Sequence, residues 1–253
     1  MAATVADVLG LVNGIAPFEL SEAWDNTGLL AGDPAQTVTR VLCALDLNEA
    51  VLGEAQALGA ELIVTHHPIL FRGRKNLAAL DPEGRLLAGL VRAGIAMIVA
   101  HTNYDAAEDG VNTALAERLG IRNAVSLESG MRIGDIDEMP LEALAAHVTD
   151  RLGGVVRRYG EKTRHVSRVA ILGGSGGSYA QIARDAGADV FITGETGYHD
   201  ALDSLAWGMC TLEAGHAATE LPAVGALARG LQIAADAVQY NIEILESAIE
   251  PFL

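Results

Sequence analysis

Three short apolar runs with helical stretches between them limit what this chain can fold into. Residues 40–47 are apolar with little alternation, and so are 61–65 and 95–100. A strand buried on both faces reads this way, because neither side has to meet water. Asn48-Glu49 opens a helix to about Gly59, and Asp81-Pro82-Glu83 opens another to about Gly94, with an N-cap and a proline at the first helical position. A further helix spans about Gly110–Gly120, and an amphipathic one begins near residue 5, with Val5, Val8, Leu9 and Val12 on one side. Strand and helix in alternation predict the parallel α/β class.

The second half repeats the alternation. A polar, glycine-containing break is expected over Asn123–Met139. A helix from Pro140 to about Leu152 follows, then strands at 166–172, 189–193 and 209–212 with helices at 178–187, around His199 and at about 217–229, and a last strand at 238–245. No residue-level repeat links the halves. The expectation is two similar α/β subdomains with mixed or parallel sheets, 1–125 and 126–253.

Composition narrows the function classes. The 253 residues are 50% hydrophobic, enough to bury one large core or two smaller ones. The formal net charge of -16 gives no positive footprint in bulk, so a broad nucleic-acid or anionic-lipid surface is not expected. No apolar run is long enough to cross a bilayer, and the start Met1-Ala2-Ala3-Thr4 lacks the features of a signal peptide, so a cytoplasmic location is expected. Cys43 and Cys210 both lie in apolar, strand-like runs and belong to no CxxC pair, which reads as buried free thiols.

Chemistry concentrates in histidines and acids. Thr65-His66-His67-Pro68 closes the run at 61–65, and His101 follows the run at 95–100. In parallel sheets ligands gather beyond the carboxyl ends of the strands. Adjacent strand residues point to opposite faces, so His66 and His67 serve one site only if the chain bends there; otherwise one is a core histidine and the other is exposed. His101 with Asp105, and His216 with Glu220, are four apart and share a face if helical. Glu195 and His199 form another such pair. Each pair alone reads as readily as a solvated face. Of the seven histidines only His147 and His165 look incidental. Two carboxylates with several imidazoles exceed the three protein ligands of a mononuclear catalytic zinc, and point to two bridged ions roughly 3.5–4 Å apart.

Other features carry less. Gly173-Gly174-Ser175-Gly176-Gly177 follows a strand but misses GxGxxG, because Tyr179 stands at the last position; a flexible tight turn is expected. Arg72-Gly73-Arg74-Lys75 is either a grip for an anionic substrate or solvated charge. Trp24 reads as the anchor of a packed loop, with Asp25 and Asn26 as groups supporting the ligands. No nucleophile elbow or HExxH is present.

Ile15-Ala16-Pro17, Trp24-Asp25-Asn26-Thr27-Gly28-Leu29, Thr65-His66-His67-Pro68, His101-Thr102-Asn103-Tyr104-Asp105, Arg132-Ile133-Gly134, Thr193-Gly194-Glu195, Gly215-His216 with Glu220, and Glu250-Pro251-Phe252 occur in this order. In that order the chain resembles the Nif-three-like dinuclear metal proteins, labelled GTP cyclohydrolase I type 2 homologues, in their short bacterial form. The resemblance implies two subdomains facing a metal-containing cleft, with His66, His67, Asp105, His216 and Glu220 as ligands to two divalent ions: iron, manganese or zinc. It implies that His101, Glu195 and His199 line the site as acid/base or supporting groups. It implies a small-molecule, nucleotide-type substrate, hydrolytic opening of the guanine imidazole ring of GTP, and a homohexamer built from dimers. The competing readings are a non-catalytic metal-binding or metal-delivery protein and a regulatory protein with structural metal.

Overall fold

Strand and helix ends fall where local chemistry sets them. The computed structural model describes residues 1–251; Phe252 of the last matching stretch lies outside them. The chain forms two compact units, one of residues 1–107 with 224–253, the other of residues 108–223.

In the first unit, β1 (Ala3–Thr4) leads into α1 (Val5–Ile15), where Thr4 and Asp7 cap each other's backbone. Then come β2 (Gly28–Ala31), β3 (Thr37–Val38), β4 (Arg40–Ala44), α2 (Glu49–Leu58), β5 (Leu62–Thr65), α3 (Pro82–Ala93), β6 (Ala96–Val99) and the short α4 (Thr102–Ala106). Asn48 accepts from Val51 N to start α2, and Asp81 accepts from Gly84 N to start α3, with proline at the head of that helix as expected. Strands β4, β5 and β6 pair in parallel, and β5 and β6 are buried at every position. β2 runs antiparallel to β6.

The second unit contains α5 (Val111–Leu119), β7 (Arg122–Ser126), β8 (Arg132–Pro140), α6 (Leu141–Leu152), β9 (Arg157–Tyr159), β10 (His165–Leu172), α7 (Ala180–Asp185), β11 (Val190–Thr193), α8 (Tyr198–Ala206) and β12 (Cys210–Glu213). The sheet order is β7-β8-β10-β11-β12-β9, with β10, β11 and β12 parallel and the outer pairings antiparallel. Leu115, Leu119, Leu141, Leu144, Val148, Val169 and Ile171 are among the residues of its larger core cluster.

α9 (His216–Ala237) carries the chain from the second unit back to the first. β13 (Glu243–Glu246) then joins the first sheet beside β4, in parallel, giving the order β13-β4-β5-β6-β2.

Two expectations change here. The stretch read as a break, 123–139, is the β7–β8 antiparallel pair, with Val125 opposite Ile133. The division at 125/126 gives way to crossings at 107/108 and 223/224. α5 packs with β7, β8 and α6, and β13 belongs to the first sheet, so neither half of the sequence closes a core by itself. Among the described residues no helix is long and apolar enough to cross a membrane.

Candidate metal centre

The first sheet ends in a cluster of imidazoles. His66 and His67 follow β5, and His101 follows β6. Extended backbone would send His66 and His67 to opposite faces. The chain bends instead: Thr65 Oγ1 donates to His67 O at 2.8 Å, Pro68 follows, and the two rings lie 4.9 Å apart, inclined by 51°. The His101 ring is 5.1 Å from His66 and 5.6 Å from His67. One ring nitrogen from each of the three lies within 4.8 Å of the others. The bent reading of the histidine pair therefore describes the structure.

Each of these rings has its Nδ1 committed. His66 Nδ1 donates to Ala100 O at 2.9 Å, His67 Nδ1 to Asp46 Oδ1 at 2.8 Å, and His101 Nδ1 to Asp25 Oδ1 at 2.9 Å. A carbonyl or carboxylate oxygen only accepts, so the proton sits on Nδ1 and Nε2 carries the lone pair in the neutral ring. That is how proteins fix the tautomer of a metal-binding histidine. Burial lowers the pKa of His101, with positive charge on His66 acting the same way, against the opposing pull of Asp25. Burial pushes Asp25 upward, but hydrogen bonds from His101 and Thr102 outweigh it and hold the carboxyl below its usual range. A neutral imidazole thus sits on an ionised carboxylate.

His101 also starts α4. Asp105 lies one turn on, donating its N–H to His101 O at 3.0 Å, and its Oδ1 is 3.6 Å from His66 Nε2. Within that turn, buried Asn103 donates Nδ2 to Ala16 O at 2.7 Å, tying the histidine segment to Ile15-Ala16-Pro17.

Asp25 holds the His101 ring, whereas Asn26 ties two loops together, its Nδ2 donating to Leu70 O at 2.6 Å. Trp24 is a correction. It is 60% exposed rather than packed inside a loop, because the polar anchors Asp25 and Asn26 hold the loop without it. The basic patch divides. Arg74 is taken up by Asp81 and Glu83, while Arg72 and Lys75 are exposed.

Sequence reasoning passed over Asp46. The signal was there: an acid stands inside an apolar run, and β4 in fact stops two residues before it.

The second unit repeats the theme on its own carboxyl edge. Glu195 follows β11, and His216 opens α9 just after β12. His216 Nε2 is 3.3 Å from Glu220 Oε2 one turn later, so the expected helical face is formed, and Glu220 is almost fully buried. His216 Nδ1 is 3.5 Å from Glu195 Oε2. His199 stands exposed on α8, with its ring against Tyr198. His147 and His165 serve elsewhere, on Leu119 O and Glu138.

The glycine loop is a tight turn, as expected, and four of its amides are hydrogen-bonded within the fold. Amides of Gly173, Gly174, Gly176 and Gly177 donate to Asn112 Oδ1, Thr219 Oγ1, Thr193 Oγ1 and Glu195 O. Gly174 in this turn and Gly194 beside it leave room for Glu220 and His216. Gly174 has φ +62°, and a Cβ there would strike Glu220 Oε1. A Cβ on Gly194 would lie 2.8 Å from His216 Cα and 2.5 Å from Gly174 O.

The donor set in each unit is imidazole and carboxylate, which suits a divalent ion of the zinc, iron or manganese kind. The thiols take no part. Cys43 and Cys210 are free and buried, and burial, with the nearby Glu246 carboxylate, pushes the Cys43 thiol up to about 12.

Residues 3–251 match the family described as Duf34/NIF3 (NGG1p interacting factor 3). A Clostridium perfringens protein named GTP cyclohydrolase 1 type 2 homolog is 35% identical, over 85% of this chain and 86% of its own. A Streptomyces coelicolor protein of the same name is 36% identical, over 86% of this chain and 82% of its own. A crystal structure of a Staphylococcus aureus hypothetical protein, SA1388, has a TM-score of 0.94 and 30% identity, covering 100% of this chain and 99% of that one.

Proposed function

The chain belongs to the Duf34/NIF3 family, and from that premise we propose that it is a dinuclear-metal-dependent hydrolase of nucleotide-type substrates. His66, His67 and Asp105 of the first unit, with His216 and Glu220 of the second, are the proposed ligands to two divalent ions. The observation that carries the reading is the tautomer control: three clustered imidazoles, each with Nδ1 donating to an oxygen acceptor, so that in the neutral ring Nε2 carries no proton. Bound in such a set, a pair of divalent ions supplies Lewis acidity and water acidic enough to ionise near neutral pH.

The chain's own groups divide the remaining work. His101 is neutral and holds its Nε2 lone pair ready, so it accepts a proton there. Asp25 stabilises the imidazolium that results. Glu195, half exposed beside His216 Nδ1, orients that ring. His199, exposed on α8, is the second proposed proton carrier. The relatives are named as homologs of a GTP cyclohydrolase, and the proposed reaction is hydrolytic opening of the guanine imidazole ring of GTP. A homohexamer built from dimers and a cytoplasmic location complete the proposal.

The test is elemental analysis of protein purified without chelator, followed by a GTP and phosphoester screen on the same sample. Close to two ions per chain and metal-dependent turnover are expected. Full occupancy, rapid exchange and no turnover across the panel would replace the hydrolase with a metal-delivery protein. Loss of fold on metal removal would point instead to structural metal. Mass measurement in solution tests the hexamer.

A further inference from the structure

Two exposed aromatic rings stand at the rim of the histidine cluster. Trp24 is 60% exposed and Phe71 is 49% exposed. Their ring centroids are 5.8 Å apart and inclined by 60°. Both lean on the same imidazole: His101 is 6.3 Å from Trp24 and 6.5 Å from Phe71, each nearly edge-on at 77°. An exposed apolar patch rimmed by polar residues is the kind of surface that ligands and partners use.

The pair is held in place by polar contacts on both sides. Glu22 N donates to Thr102 Oγ1 at 3.0 Å, and Asp25 N donates to Glu22 O at 3.0 Å. Asp25 also accepts from Thr102 Oγ1 at 2.6 Å. Asn26 Nδ2 reaches Leu70 O, the residue before Phe71, at 2.6 Å. These contacts fix the segments carrying both rings to each other and to the start of α4, without burying either ring. Immediately after Phe71, Arg72 and Lys75 are exposed cations in a chain of net charge -16.

We propose that Trp24 and Phe71 form a stacking platform for the purine ring of a nucleotide substrate, with Arg72 and Lys75 drawing its phosphates. Indole and phenyl faces stack on planar heterocycles, and cations nearby favour the anionic end. The platform adjoins His101, so the ring is delivered to the group that accepts the proton. This inference rests on the metal-dependent reading for the site it serves, but binding is measurable without turnover.

The experiment uses full-length, zinc-loaded protein carrying Trp207→Phe. Trp207 has the Arg184 guanidinium 4.6 Å from its ring centre, and removing it leaves Trp24 as the sole indole emitter. GMP is titrated against ribose 5-phosphate, which has the sugar and phosphate but no base. Saturable quenching by GMP, and none by ribose 5-phosphate, is expected. Phe71→Ala should raise the GMP Kd by about tenfold or more, Phe71→Tyr should restore it, and metal content should stay unchanged in both. Arg72→Ala should weaken GMP while leaving guanosine unaffected.

Absence of base-dependent quenching would overturn the proposal, as would an unaltered Kd in Phe71→Ala. Quenching that grows with protein concentration and ignores nucleotide would also overturn it, by assigning the rings to a contact between copies. GMP binding through Trp24 without turnover on any substrate sinks the hydrolase and spares the platform. Turnover of GTP with Trp24 silent does the reverse.

Discussion

At Asp25 one carboxylate accepts three hydrogen bonds, from His101 Nδ1, Thr102 N and Thr102 Oγ1. Asp25→Ala strands these donors. Removing the oxygen partner of such a histidine typically costs 10–100-fold in metal affinity or activity. His101 is the proposed proton acceptor, so a fall of about that size in turnover at unchanged metal content is expected, together with a stability loss of about 1–3 kcal/mol in urea. Unchanged turnover would remove His101 from the proton-transfer role. Glu61 offers a pH test away from the cluster. Burial pushes it up, but hydrogen bonds from Thr39 N, Thr39 Oγ1 and Arg40 N outweigh this and depress its pKa. A depressed folded-state pKa stabilises above the unfolded value of about 4.3, and that stability is lost as pH falls through the folded value. Wild type should therefore exceed Glu61→Gln in stability at pH 7, with the gap narrowing as acid is added. A gap that is constant with pH would refute the linkage.

The element scale shows what a sequence discloses. β5 and β6 were legible because every position is buried and all but Thr65 are apolar. β7 and β8 were not: β7 is exposed at all five positions, and β8 alternates acids with apolar residues near the rim of its sheet. Such strands owe their existence to pairing partners, which local pattern does not contain. α9 runs on to Ala237, past the expected stop near Arg229, although Pro222 sits inside it. Of the site, the ligand-type residues could be read from their places after strands. The outward turn of Trp24 could not, since it depends on contacts made between loops; the acid at Asp46 was visible, but its partner His67 was not. The glycine turn behind Glu220 is the element most sensitive to change. Gly194→Ala forces backbone against backbone, and Gly174→Ala drives a methyl into the carboxylate at positive φ. Both variants should stay folded by circular dichroism yet lose metal bound through His216 and Glu220, read by elemental analysis. Full occupancy in both would remove these residues from the ligand set.

For the whole molecule the consequential fact is that the two units are not the two halves of the chain. The first sheet takes β13 from near the far end of the sequence. Truncation after Ala237 would leave β4 as an open edge of apolar residues, a surface prone to pairing with other chains. The truncated protein should aggregate on size exclusion, whereas a monodisperse product would mean β13 is dispensable. The proposed metal centre of the first unit depends on that same sheet, since Asp46, His66, His67 and His101 all follow its strands. The intervening unit, one uninterrupted stretch, suffers no such dependence.

That threading sets an order of birth. As the ribosome feeds the polypeptide out from its amino end, residues 108–223 hold every strand of their own sheet before translation stops. The earlier-made portion must wait, one strand short, for Glu243–Glu246 to emerge. The part synthesised first is the part finished last.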